Sequence, residues 1–113
     1  MNRYIRRAGL AVLAFLLCAV FGVLAVPAQA QSGGAALFKT KCAACHGADG
    51  KGQTSIGKAD GIRDLGSEDV QKQTDEELTG IIGSGKGKMP AYGKSLKPAQ
   101  IKELVAYIRT LKG

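Results

Sequence analysis

The chain has 113 residues, 16 basic against 9 acidic, a formal net charge of +7 and 45% hydrophobic residues. Arg3, Arg6 and Arg7 stand at the very start; without them the balance is 13 to 9, a net of +4, too small to argue for nucleic acid as a partner. The length excludes more than one small domain once a leader is set aside.

That leader is read from three features in order. The three arginines give a basic start, Leu10 to Val26 is an almost unbroken apolar run, and Ala28-Gln29-Ala30 places small residues at cleavage-site spacing. The expectation is a signal peptide over residues 1–30, leaving 83 residues, 31–113, as the folded domain. The competing reading is an uncleaved anchor, because the run approaches the ~20 residues that a membrane helix needs. Cys18 lies inside the run behind Leu16 and Leu17, not behind small residues, and is expected to leave with the signal.

After the polar lead Gln31 to Gly34, the segment Ala35 to Lys41 has good helix formers, with Leu37, Phe38 and Cys42 on an apolar side. One helix is predicted to run into Cys42-Ala43-Ala44-Cys45-His46. From Gly47 to Gly66 six glycines break any period, and a long loop is expected. Such a loop in a small domain is unusual unless it wraps something.

Ser67 is a candidate cap for a short helix, Glu68 to Lys72. Thr74-Asp75-Glu76-Glu77 matches a capping box, and Leu78, Ile81 and Ile82 give the helix that follows one buried face until Gly83-Ser84-Gly85 stops it. Pro98 suits the first turn of a last helix, where Ile101, Leu104, Val105, Ile108 and Leu111 form one stripe flanked by Tyr107. No segment carries a strand pattern, so the fold class is all-α, with about four short helices and long glycine-rich loops.

The chemistry is concentrated in Cys42-Ala43-Ala44-Cys45-His46. A C-x-x-C-H run reads as an attachment site for haem c, two sulfurs bonding the porphyrin edge and the histidine reaching the iron. A disulfide between cysteines three apart would close a tiny loop and stabilise little. A structural zinc ion would be short of ligands, since residues 31–113 hold no other cysteine or histidine. A thiol-disulfide catalyst would need a βαβ setting, which the helical pattern does not offer. A covalently bound haem would also supply the packing partner that a domain of this size lacks.

For the second axial position the candidates are few. Met89 is the only methionine besides the initiator and sits in Lys88-Met89-Pro90, away from any apolar stripe. It is the expected sixth ligand, with Pro90 stiffening its loop. Methionine opposite histidine raises the reduction potential, and an iron closed on both sides points to electron transfer rather than oxygen chemistry.

Gly34, Phe38, the Cys42 to Gly47 run, Lys88-Met89-Pro90-Ala91-Tyr92 and Leu104-Val105-Ala106-Tyr107-Ile108 together resemble the landmarks of a class I cytochrome c. Met89 follows His46 by 43 residues, an interval similar to that of the short soluble forms of the cytochrome c6 type. The resemblance covers residues 31–113. It implies a cytochrome c fold around one haem c and its iron, and first and last helices that cross where Gly34 and Phe38 meet Leu104 and Tyr107. It also implies a proline after the haem histidine, near the carbonyl that takes the Nδ1 proton. No proline lies between Cys45 and Met89; Ser55 stands at the corresponding place, and the carbonyl for His46 is left open.

Lys39, Lys41, Lys51, Lys58, Lys86, Lys88 and Lys94 lie near the cysteine pair or the methionine loop in sequence, and as a group suggest a haem-edge face that steers acidic redox partners. The sequence therefore reads as an electron carrier and not an enzyme. The cofactor-binding residues are Cys42, Cys45, His46 and Met89, with His46 and Met89 on the iron. Larger redox protein complexes are the expected donor and acceptor, the protein is expected to be a monomer, and the membrane enters only if residues 1–30 are retained. The expected place is outside the cytoplasm, the periplasm first, with a thylakoid lumen or a membrane-anchored form as alternatives. Competing functions are a small peroxidase-like haem enzyme or sensor with an open axial site, and a membrane-tethered redox subunit.

Overall fold

The computed structural model describes residues 28–113, with side chains from Gly33 onward. The basic start, the apolar run and Cys18 lie outside the described residues. Among the described residues six helices follow one another, where about four are expected: α1 Ala28–Lys41, α2 Ala43–His46, α3 Ser55–Asp60, α4 Glu68–Gln71, α5 Asp75–Ser84 and α6 Pro98–Thr110. Among the described residues no strand forms; a single antiparallel bridge joins Lys86 to Met89.

The all-α reading holds, and two of its details change. The first helix is longer than predicted, because its backbone is already helical at Ala28, within the cleavage-site residues. It passes almost directly into α2, with the Cys42 N–H donating to the Phe38 carbonyl at 2.9 Å. The second change is α3, inside the stretch expected to be all loop. Glycine at position 57 weakens the helical signal there, but the Thr54 hydroxyl accepts from the Gly57 N–H and Gly61 closes the helix in the left-handed region. Gly57 is required for another reason. A Cβ there would lie 2.2 Å from the Gly52 carbonyl oxygen and 2.8 Å from that of Cys45, so the glycine lets α3 lie flush against the attachment motif.

The remaining helices follow their sequence signals. At α5 the Thr74 hydroxyl accepts from the Glu77 N–H at 3.1 Å, and Glu77 Oε2 accepts from the Thr74 N–H at 2.7 Å, the full capping box. Pro98 occupies the first turn of α6. Ser67 precedes α4 without a side-chain cap, and its buried hydroxyl has no partner.

The core is the crossing of α1 on α6, with α5 packed against α6. Gly34 faces the Glu103 carbonyl, where an added Cβ would come within 2.2 Å. This close approach brings the Phe38 and Tyr107 rings to 5.0 Å between centroids. Phe38 and Leu104 are the most deeply buried side chains, and Val70, Leu78, Ile82, Ile101, Val105 and Ile108 complete the cluster with Leu96. Ile81, read as part of the α5 buried face, is only partly covered, because it borders a cleft.

Candidate cofactor cleft

A cleft of about 510 Å³ opens beside this core. Its walls are apolar, formed by Phe38, Leu65, Val70, Leu78, Ile81, Ile82, Leu104 and Ile108. Cys42, Cys45, His46 and Met89 all line it. Four side chains spread over 48 positions of the sequence thus border one cavity.

Local folding explains each placement. Helix α2 turns the cysteines and the histidine toward one side, with the His46 N–H donating to the Cys42 carbonyl at 3.0 Å. Thr54 Oγ1 donates to the Cys45 carbonyl at 2.7 Å, fixing the motif to α3. Met89 sits in a tight turn: its N–H donates to the Lys86 carbonyl at 3.0 Å, the Lys86 N–H donates back at 3.2 Å, and Gly87 takes a φ of 58° that other residues resist. The Tyr92 hydroxyl donates to the Lys41 carbonyl at 3.1 Å, joining the chain beyond Met89 to the end of α1.

Both cysteines are free thiols. Burial, and then the charge of neighbouring Cys45, pushes the Cys42 thiol up to about 11, so it is neutral at physiological pH. Burial holds the His46 pKa below the ordinary histidine value, favouring the neutral imidazole that a metal ligand must be. Its Nδ1 is buried and has no hydrogen-bond partner. Among the described residues no carbonyl, that of Ser55 included, lies in hydrogen-bond contact with it, and the hydroxyl bonded to the motif is that of Thr54.

The residues fit a covalently held haem. Two unpaired sulfurs, an imidazole whose inner nitrogen is sealed from water, a thioether and a broad apolar cavity are the donor set and the walls such a group needs. Among the described residues no three His, Cys, Asp or Glu side chains converge on a separate metal site.

Of the seven lysines, Lys41, Lys86 and Lys88 border the cleft, and Lys39, Lys51, Lys58 and Lys94 do not. Lys88 is paired with Asp60 at 2.7 Å. Asp60, Arg63 and Gln73 also line the cleft and carry no sequence signal. They come from the glycine-broken stretch and the turn before α5, which only the tertiary fold brings to the cavity.

The family model described as cytochrome C oxidase, cbb3-type, subunit III matches residues 29–108. The cbb3-type cytochrome c oxidase subunit FixP of Azorhizobium caulinodans is 40% identical over 84 residues; these cover 71% of this chain but 27% of FixP, so the chain spans little more than a quarter of that protein. Cytochrome c6 of Picosynechococcus sp. is 37% identical over 92 residues, covering 78% of each chain. A solved structure described as KustC0563 c-type cytochrome superposes with a TM-score of 0.66 at 32% identity, covering 71% of this chain and 98% of that one. The matched residues include the cysteine pair, the histidine and the methionine turn. The chain belongs to the c-type cytochromes, in the family of the cbb3-type oxidase subunit III domain.

Proposed function

We propose that this chain is an exported electron carrier in which Cys42 and Cys45 hold one haem c by thioether bonds while His46 and Met89 supply the two axial ligands. When bound, the haem provides a one-electron iron couple. The observation that carries the reading is that all four side chains border one apolar cleft.

Each protein group then has a task. The cysteine sulfurs would hold the porphyrin edge, and α2 presents the His46 imidazole to the same cleft. The Met89 thioether, a soft and weakly basic donor, favours the reduced state. Phe38, Leu78, Ile82 and Leu104 exclude water, which also disfavours the added charge of the oxidised state. With His46 and Met89 both engaged, the site would leave no position for oxygen or a substrate.

Redox protein complexes are the partners. Lys41 and Lys86, exposed at the cleft rim, form the face that attracts acidic ones. Residues 1–30 serve as the export signal, residues 31–113 are the mature domain, and the periplasm is its compartment. Among the described residues no helix is long and apolar enough to cross a membrane.

The test is spectroscopic. The oxidised holoprotein is expected to show the near-infrared sulfur-to-iron charge-transfer band at neutral pH, and Met89→Ala is expected to lose it and to bind external imidazole readily. A wild-type protein without the band would instead have an open axial site, as a haem enzyme or sensor does. The intact mass of the exported protein checks the leader: retention of residues 1–30 would mean a tethered subunit.

A further inference from the structure

The turn that carries Met89 is poorly tied to the protein around it. The chain is fixed by the Gly85 N–H on the Ile81 carbonyl at 2.9 Å and again by the Tyr92 N–H on the Ile82 carbonyl at 3.0 Å. Between these points Lys86 and Met89 bond only each other through the backbone. Among the described residues, the one hydrogen bond leaving this turn is Lys88 Nζ to Asp60 Oδ1 at 2.7 Å.

The receiving end is firm. Asp60 is the last residue of α3, which is locked to the attachment motif through Thr54 Oγ1 on the Cys45 carbonyl and the close seat of Gly57. Its side chain is 23% exposed against 73% for Lys88, so a half-buried carboxylate meets an exposed cation. A carboxylate at a helix C-terminus is disfavoured by the helix dipole, and the lysine offsets this. Both residues border the cleft.

We infer that the Asp60–Lys88 ion pair is a latch that spans the cleft from the cysteine side to the methionine side and holds the Met89 turn closed on the iron. The two are positioning residues, acting through Met89, and the inference rests on Met89 being the sixth ligand. Met89 also packs against the core, so the latch adds to apolar holding and does not replace it. An ion pair whose lysine is open to solvent shifts an opening equilibrium by a factor of about two to five.

The experiment is imidazole titration of the oxidised holoprotein, followed by loss of the sulfur-to-iron band, for wild type, Asp60→Asn, Lys88→Gln and the double variant. Each single variant is expected to bind imidazole about two- to fivefold more tightly than wild type, and the double variant no more tightly than either single. High salt is expected to bring wild type toward the variants. Single variants that bind as wild type does, or whose effects add in the double variant, would overturn the latch while leaving the ligand in place. A wild type that lacks the band from the outset would overturn the ligand assignment itself, a distinct result.

Discussion

The Thr54 hydroxyl links the attachment motif to the helix that follows it, donating to the Cys45 carbonyl at 2.7 Å while accepting from the Gly57 N–H at 2.8 Å. One oxygen thus caps α3 and satisfies the carbonyl of the residue before His46. Thr54→Val keeps the shape and removes both bonds. The loss of a cap and of a part-buried partner is expected to cost about 2 kcal/mol. Chemical denaturation of the holoprotein measures it, and a cost below about 0.5 kcal/mol would mean that water replaces the hydroxyl.

Gly34 and Gly80 form a contrasting pair on two helices. At Gly34 an added Cβ would sit 2.2 Å from the Glu103 carbonyl oxygen and 3.1 Å from Tyr107 Cβ, whereas at Gly80 nothing lies within 4 Å. Gly34→Ala must push α1 away from α6 and is expected to destabilise by about 1–3 kcal/mol. Gly80→Ala lies in the exposed interior of α5 and is expected to stabilise by up to about 1 kcal/mol. Denaturation midpoints of the two variants should therefore move in opposite directions.

The same contrast marks what could be read from residues alone. The motif at Cys42 to His46, the capping box at Thr74 and the stripe on α6 are local patterns, and their elements formed as expected. The crossing at Gly34 and Phe38 came from the resemblance to the cytochromes c, since nothing local says which glycine faces another helix. Helix α3 is not legible in the sequence because Gly57 weakens its helical signal while serving a tertiary contact. Asp60 and Lys88 lie 28 positions apart, and only the closed fold makes them partners. Similarly, Gln71 and Arg109 carried no signal, yet the Gln71 amide donates to the Ile108 carbonyl at 2.9 Å and Arg109 Nη1 to the Gln71 carbonyl at 2.9 Å.

The proposed steering by rim lysines can be checked without an identified partner. Lys41 and Lys86 are exposed at the rim, while Lys88 spends its charge on Asp60. Reversing either of the first two to glutamate should slow oxidation by ferricyanide about threefold at low ionic strength and speed reaction with a cationic oxidant. Reversal at Lys51, which does not line the cleft, should change both rates less. Stopped-flow kinetics at two salt concentrations decide it, since a true steering effect shrinks as salt rises.

Removing the cofactor tests whether it is part of the core. In a Cys42→Ala/Cys45→Ala chain without haem, the cleft of about 510 Å³ would open to water beside Leu65, Ile81 and Met89, which line it and are only partly covered by the protein itself. Full exposure of an apolar side chain costs about 1.5–3 kcal/mol, and a small domain has only about 5–15 kcal/mol in total. The chain is expected to lose most of its far-UV helical signal at 25 °C and to melt without a cooperative transition. Whatever folded population remains should shrink as the pH falls. Burial lowers the His46 pKa in the folded chain, so below the ordinary histidine value the unfolded chain binds the extra proton. Its contribution is therefore present above about pH 6.5 and is lost as the pH drops toward the folded pKa. With His46 on the iron, as proposed, the holoprotein should lack this dependence, so circular dichroism of the two forms between pH 7.5 and pH 5 separates cofactor-held from self-supported structure.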